Sequence, residues 1–212
     1  MVAFMKTLFR SLLVAALLLA SARASSANAI VNGSFEAPDL GVNWQIFTSI
    51  PGWVGDEIEI GHFSFYAING PLDGDQVMEL DPNHNATVNT DSLLVTPGTT
   101  YDLSFYYAGR GYAGSLATST FDVYWNNLIV PLASFAPLNN TMTLYTAQVV
   151  AGATNTLTFK GTGASDSYGA LIDNVQLNDL VVNPNAVPDG GLTSALLGLS
   201  IVGLGVVRRI IR

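Results

Sequence analysis

Carboxylates are the reactive groups that dominate the central part of this chain. All but one of the 16 Asp and Glu residues lie between residues 30 and 187, where Arg110 and Lys160 are the only Lys or Arg residues. This charge balance repels the phosphate backbone of nucleic acids, so we expect no nucleic-acid partner. It attracts hard divalent cations, which prefer oxygen ligands. A net negative charge that only maintains solubility is the alternative interpretation.

The acidic segment Asp73-Gly74-Asp75, with Glu79 and Asp81 after it, is superficially similar to a calcium-binding loop. It lacks the EF-hand pattern, because no acidic residue stands at the closing position with the right spacing. An Asp-Gly pair before an alternating segment is more typical of a turn that leads into a strand. We therefore predict a turn here.

The histidines and nucleophiles of the chain form no recognisable catalytic pattern. His62 and His84 are the only two histidines, neither stands at a metal-ligand spacing, and no cysteine is present. Disulfides and zinc–thiolate sites are therefore excluded. The chain also lacks a Gly-x-Ser-x-Gly motif, and a carboxylate pair for glycoside hydrolysis would depend on the separation of the two groups. We predict that the protein is not an enzyme.

Aromatic rings could instead bind a carbohydrate, since the C–H faces of sugars stack on rings. The candidates are Trp44, Trp53, Tyr66, Tyr106, Tyr112 and Tyr124. Trp53, in a Pro-Gly-Trp sequence, is expected to be buried at one end of the sandwich instead. Tyr106 and Tyr124 occupy the polar faces of their predicted strands, which favours exposure. Tyr112 lies with Arg110 in the glycine-rich segment 108–114, where we predict a mobile binding loop. Tyr106, Tyr112, Tyr124 and Arg110 are thus the predicted ligand-binding residues.

A two-residue period dominates the segments that must position these groups. Every second side chain of residues 101–107 is apolar, as in a half-buried strand, and residues 120–125 repeat the pattern. Asn126-Asn127 then predicts a tight hairpin to a strand at 128–130, because Asn tolerates positive φ. The other predicted strands are 44–48, 57–60, 76–80, 144–150, 156–160 and 170–177. Many short strands without a sustained helical period predict an all-β fold, a two-sheet antiparallel sandwich.

The N-terminal residues have the composition of a secretory signal. Lys6 and Arg10 precede the apolar segment 11–20, and the small residues of Ala27-Asn28-Ala29 suit a signal peptidase. The apolar segment is too short to span a bilayer comfortably, which argues against an uncleaved anchor. We predict a signal peptide over residues 1–29.

The C-terminal residues form a tripartite tail. The pentad Val187-Pro188-Asp189-Gly190-Gly191 precedes an apolar transmembrane helix predicted over 192–207 and then Arg208-Arg209. This order resembles the PEP-CTERM class of bacterial sorting signals, in the Val-Pro-Asp-Ser-Gly variant, with Gly190 in place of Ser. The resemblance implies a sorting signal at 188–212 that a membrane-embedded exosortase processes. A permanent single-pass anchor and a eukaryotic lipid-anchor signal are the alternatives.

Residues 30–180 are predicted to form one domain, followed by a short linker over 181–187. Five motifs occur in order along the domain: Asn32-Gly33-Ser34-Phe35-Glu36, Ile50-Pro51-Gly52-Trp53, Asp75-Gln76-Val77-Met78-Glu79-Leu80, residues 96–105 and Leu171-Ile172-Asp173-Asn174-Val175-Gln176-Leu177. The set resembles a family of extracellular galactose-binding-like jelly rolls and, more loosely, the jelly-roll carbohydrate-binding modules of glycoside hydrolases. The resemblance implies a jelly-roll sandwich whose first and last strands lie side by side.

The resemblance also implies a structural calcium ion held by Glu36 and Asp173. The strand pattern places Asp173 on the same face as Leu171 and Val175, where an unpaired charge would be costly. Because the domain has only two cationic side chains, a calcium ion or backbone amides are the available partners. A different strand phase would instead move Asp173 to the other face.

Together these features predict an exported protein of the cell envelope, cell surface or extracellular matrix of a Gram-negative-type bacterium, anchored transiently in the inner membrane. Its predicted task is the non-catalytic binding of extracellular polysaccharide. A structural surface or matrix protein without a specific sugar ligand is the alternative.

Overall fold

The computed structural model describes residues 28–111, 118–126 and 129–180. The predicted linker and sorting tail lie outside these ranges, as do Tyr112 and all of the predicted signal peptide except its last two residues. Within the described ranges, no helix is long and apolar enough to cross a membrane.

Ten antiparallel strands in the described residues confirm the predicted all-β sandwich. They are β1 Trp44–Ile50, β2 Trp53–His62, β3 Gln76–Glu79, β4 Thr87–Thr90, β5 Thr100–Gly109, β6 Phe121–Trp125, β7 Ala133–Phe135, β8 Thr143–Val150, β9 Leu157–Gly161 and β10 Ala170–Asp179. The hydrogen-bonded order is β7-β6-β9-β4-β2-β3-β10-β5-β8, and β1 pairs with β2. Residues 53–55 of β2 pair with β4, whereas residues 59–62 pair with β3. The sheet thus divides at β2 into layer A (β7-β6-β9-β4) and layer B (β3-β10-β5-β8).

Aromatic rings from the two layers meet in the core. Phe105 of layer B and Phe159 of layer A have ring centroids 5.1 Å apart, although their strands are distant along the sheet. Trp53 is fully buried, as expected, with its ring centroid 5.2 Å from that of Phe35. Its indole Nε1 donates to Asn32 O at 3.1 Å. Alternate residues of β5 and β6 fill the core because successive side chains of a strand point to opposite faces.

The hairpin after β6 closes on a later strand than the sequence predicts. Ala133–Phe135 pairs with β6, whereas Ile129 and Val130, from the predicted strand, are exposed at 87% and 68%. Asn126 does adopt the positive φ expected of a turn, 61°. The strand β4 was not predicted, because its four residues contain one apolar side chain and give almost no periodic signal.

A β-bulge in β10 changes which residues share a face. The register between β10 and β5 shifts between Asp173 and Gln176, and Asn174 has a φ of 49°, which asparagine tolerates. As a result Val175 packs in the main core, whereas Leu171 packs in a second apolar cluster on the outer face of layer B. The prediction that Asp173 shares one face with both of these residues is wrong.

The opening segment of the domain lies against β10 but forms no strand. The first strand, β1, pairs with β2, so the expectation that the first and last strands lie side by side is wrong. Ala29 N donates to Leu177 O at 2.9 Å, and Val175 N donates to Gly33 O at 2.8 Å. A Cβ atom on Gly33 would lie 2.0 Å from Val175 O, so only glycine permits this close approach.

The segment between β2 and β3 covers part of the outer face of layer B. Tyr66 and Ile68 of this segment pack in the second cluster with Val77, Ala108 and Leu171, which belong to strands of layer B. This packing fixes the segment beside β10 and thereby positions the acidic turn at 73–75.

Candidate functional site

Arg110 takes part in a buried ion pair at one end of the sandwich. Its Nη1 donates to Glu79 Oε1 and Oε2 at 2.7 and 2.8 Å and to Ser167 O at 2.7 Å. Its guanidinium carbon lies 5.1 Å from the ring centroid of Tyr66 and 4.7 Å from that of Tyr168. The side chain of Arg110 is only 17% exposed. This corrects the expectation that Arg110 extends from an open loop toward a ligand.

A second carboxyl group lies beside this ion pair. Glu59 on β2 stands directly opposite Glu79 on β3, and the hydroxyl of Tyr66 donates to Glu59 Oε1 at 3.0 Å. Burial raises the pKa of Glu79 to about 9, Arg110 opposes this increase, and the charge of Glu59 adds to it. Burial also raises the pKa of Tyr66. We therefore expect the carboxyl group of Glu79 to retain a proton at neutral pH, in a hydrogen bond with Glu59.

The residues predicted to hold calcium lie on either side of the turn at 73–75, which the structure confirms as a turn. Glu36 Oε1 accepts two backbone N–H bonds from residues 75 and 76, at 2.9 and 2.8 Å. Asp173 Oδ2 accepts from Asp73 N at 2.8 Å, and its Oδ1 accepts from Asn174 N at 2.6 Å. Both carboxylates therefore accept hydrogen bonds from backbone amides. For Asp173, backbone amides were one of the two expected kinds of partner, and a calcium ion was the other.

The carboxyl group of Asp173 lies in a buried and acidic environment. The side chain is fully buried, and burial raises its pKa to about 7, while the charges of Asp73 and Glu36 add to the increase. A calcium ion needs six to eight oxygen ligands. No group of three or more Asp, Glu or His side chains in the described residues is arranged to hold a metal ion. An ion held by Glu36 and Asp173 would therefore also need backbone carbonyl oxygens.

We propose that calcium stabilises this region, and we expect removal of the ion by a chelator to lower the melting temperature. A ligand at about 100 times its dissociation constant adds about 2.7 kcal/mol to the stability, so the shift should be roughly 5–11 °C. Asp173→Asn should make the melting temperature insensitive to the chelator, whereas Asp91→Asn, at an exposed carboxylate, should leave the shift intact. Differential scanning calorimetry with and without EDTA measures both; an unchanged wild-type curve would contradict the proposal.

An amide-lined groove runs along β10 beside the acidic turn. It has a volume of about 610 Å³ and is lined by Asn174, Gln176 and Asn178, together with Ser34 and Asp73. The three amides form a chain, because Asn178 Nδ2 donates to Gln176 Oε1 at 3.2 Å and Gln176 Nε2 donates to Asn174 Oδ1 at 2.6 Å. A carboxamide offers two N–H donors and two lone pairs on its oxygen. The row therefore retains donors and acceptors for a ligand.

These three amides were not among the predicted site residues, although part of the signal is in the sequence. Gln176 and Asn178 are two residues apart on one strand and therefore share a face. The alternation of polar amides with Val175 and Leu177 marks this face as one that avoids the core. The third amide, Asn174, lies two residues before Gln176 and follows the same alternation. The alternation does not reveal the β-bulge between Asp173 and Gln176.

The structure does not bring the predicted aromatic binding residues together. Tyr106 is half-buried and packs against the second cluster. Tyr124 is only 7% exposed and its hydroxyl donates to Asp122 Oδ2, so its expected exposure is wrong. Tyr66 is fully buried, whereas Trp44 on β1 is 52% exposed. Among the described residues no aromatic ring lines the groove.

Comparisons with known proteins give distant likenesses. No family model matches the chain. The chain is 32% identical over 149 residues to multifunctional-autoprocessing repeats-in-toxin proteins of Vibrio vulnificus and of Vibrio cholerae serotype O1. These matches cover 70% and 68% of this chain but only 3% of each toxin.

The fold is similar to those of several solved structures at low identity. The paired CBM22-1 and GH10 modules of Clostridium thermocellum endo-1,4-beta-D-xylanase 10B are 16% identical with a TM-score of 0.46, over 76% of this chain and 30% of that one. A family 35 carbohydrate-binding module from the same organism is 15% identical with a TM-score of 0.40, over 71% and 98%. The K2 adhesin domain of Lys-gingipain is 11% identical with a TM-score of 0.43, over 70% and 98%.

Proposed function

We propose that this protein is an exported, non-catalytic module that binds an uncharged polysaccharide in the amide-lined groove along β10. The observation that supports this most directly is the row of Asn174, Gln176 and Asn178, whose hydrogen-bonding groups face one open groove. The spacing of a row along a strand suits a chain of repeating hydroxyl groups. The volume of about 610 Å³ lies within the usual range for small-ligand sites, about 300–1,000 Å³.

The charge of the domain favours a neutral ligand over an acidic one. Asp73 lines the groove, and the domain contains almost all of the acidic residues of the chain but only two basic ones. A polysaccharide that carries carboxylate or sulfate groups would meet like charges at this surface. Sugar hydroxyls, in contrast, can both donate to and accept from carboxamides.

Export and sorting are part of the proposal and follow from the sequence of the two ends. The signal peptide would deliver the domain across the inner membrane, and the tail from Val187 to Arg212 would hold it there until an exosortase-type enzyme processes it. The mature protein would then reach the cell surface or the extracellular matrix. The intact mass of the protein recovered from its host would show both cleavage points.

The groove assignment makes a direct prediction about binding. We expect Gln176→Ala combined with Asn178→Ala to weaken binding to a neutral polysaccharide by roughly 10- to 100-fold, because each lost hydrogen bond costs about 1 kcal/mol. The matched control is Gln45→Ala, an exposed amide on β1 outside the groove, which should bind like wild type. A glycan array with neutral and acidic polysaccharides measures all three proteins. Silence of the wild type on every glycan would favour a structural surface protein instead.

A further inference from the structure

The two end strands of the sheet, β7 and β8, contain no charged residues. No Asp, Glu, Lys, Arg or His occurs between Asp122 and Lys160 in the sequence, although the rest of the domain is strongly acidic. This stretch contains β7 and β8, the two ends of the hydrogen-bonded strand order. The two end strands meet, since the ring centroids of Phe135 on β7 and Tyr145 on β8 are 5.0 Å apart. We call the side formed by β7 and β8 the neutral flank.

The strand β8 presents an open backbone edge on this flank. It pairs with β5 on one side only. Ala151, directly after β8, donates its N–H to Thr99 O, directly before β5. Along an antiparallel strand, the N–H and C=O groups of successive residues point alternately to the two sides of the strand. The odd-numbered residues of β8 therefore bond to β5. The N–H and C=O groups of Leu144, Thr146 and Gln148 therefore point away from the sheet. Among the described residues nothing hydrogen-bonds to them.

The open edge is bounded at both ends. Met142 N donates to Asn69 O at 2.8 Å before Leu144, and Trp125 Nε1 donates to Val150 O at 2.8 Å after Gln148, so the open groups are those of Leu144, Thr146 and Gln148. The edge also lacks the usual protection, because β8 contains no proline, no charged residue and no register shift in its pairing with β5. Edge strands of this kind are templates for pairing with another strand.

We infer that β8 pairs antiparallel with β8 of a second copy of this chain, with Thr146 on the two-fold axis. This register places Thr146 opposite Thr146 and Leu144 opposite Gln148, so that all the outward-facing groups of the open edge bond to each other. The Trp125–Val150 bond remains intact in this arrangement. A two-fold interface must be self-complementary. The open edge has three outward-facing residues, so the middle one can pair with itself on the axis while the outer two pair with each other.

The charge distribution favours a second copy approaching through the neutral flank. Two copies carry the same excess of acidic residues, so contact through other parts of the domain places like charges together. The neutral flank avoids this repulsion at close range. Pairing there would also cover Leu144, whose side chain is 51% exposed, with the neighbouring copy. The groove on β10 is separated from β8 by β5 and stays accessible.

The oligomeric state in solution tests this inference. We expect analytical ultracentrifugation of the wild-type protein to show a monomer–dimer equilibrium that tightens from 0.05 to 0.5 M NaCl, because salt screens the residual repulsion between the acidic domains. Thr146→Lys should weaken dimerisation at least ~10-fold, since it places two positive charges together at the axis. Gln45→Lys, which adds the same charge on exposed β1, should change it less than ~2-fold.

Folding is monitored separately, because a variant that unfolds would also fail to dimerise. Circular dichroism and the melting temperature of Thr146→Lys should match those of the wild type, as expected for an exposed position on an edge strand. Thr146→Pro gives a second variant, since it removes an outward N–H group that the monomer does not use. A wild type that is monomeric at ~500 µM in 0.5 M NaCl, or a dimer that tolerates Thr146→Lys, would overturn the inference.

Discussion

Replacing Arg110 by methionine is expected to lower the free energy of unfolding at neutral pH by about 3–5 kcal/mol, because it removes the guanidinium that donates to both oxygens of Glu79 and packs on the rings of Tyr66 and Tyr168. The side chain of Glu79 is fully buried and both of its oxygens accept bonds from Arg110. Glu59 stands opposite, so the variant would leave two neighbouring carboxyl groups without a cation. Chemical denaturation at pH 7 measures the loss.

Lys160 provides a matched control, because it is the other basic residue of the domain and is exposed on β9. Lys160→Met removes the same charge and should change the stability by less than about 0.5 kcal/mol. Equal effects of the two variants would show that Arg110 acts only through net charge.

The stability of the wild-type protein is expected to fall as the pH rises from 6 to 9. Glu79 has a raised pKa of about 9 in the folded protein, whereas the unfolded chain titrates near its ordinary value of 4.5. Between these two pKa values the folded protein holds a proton that the unfolded chain has already lost. The stabilisation that this proton gives the folded state is fully present below pH 4.5 and disappears as the pH rises to 9. Each pKa unit corresponds to about 1.4 kcal/mol, and we expect a loss of about 2–4 kcal/mol over this range.

Denaturation curves at several pH values, recorded in chelator, measure this slope. Glu79→Gln removes this titrating group and should remove most of the slope above pH 7, whereas Asp173, with a raised pKa of about 7, still contributes to the fall in stability below pH 7. Asp91→Asn removes an exposed carboxyl group and should retain the wild-type slope. A wild-type stability that is constant or rises over this interval would contradict the proposed protonation of Glu79.

The sequence predicted the architecture well where side chains alternate. β5 and β6 were predicted because apolar residues at every second position must face a core, and Trp53 is buried as expected. The closeness of the opening segment to β10 follows from the ordered motifs. Strands without this alternation, such as β4 and β7, were missed or shifted.

The candidate site was harder to predict, because it depends on contacts between distant segments. The β-bulge at Asn174 changes the phase of β10, so that Leu171 and Val175 pack on opposite faces. The ion pair joins Glu79 on β3 to Arg110, which follows the last residue of β5, and these two strands are not consecutive in the sequence. Tyr124 lies between the core-facing residues Val123 and Trp125 in a strand whose alternation predicts that it points outward, yet it is buried. An outward position on a strand therefore does not ensure exposure. Local periodicity contains none of this information.

The central claim is that the carboxamides of β10 bind a neutral polysaccharide. Chemical-shift mapping of side-chain NH₂ groups, with an oligosaccharide of the strongest neutral hit on the glycan array, tests it most directly. We predict that the largest shifts occur at Asn174, Gln176 and Asn178, whereas the NH₂ group of Gln45 does not move. Shifts confined to Trp44 or to other residues outside the groove, or binding that Gln176→Ala combined with Asn178→Ala leaves unchanged, would contradict the assignment.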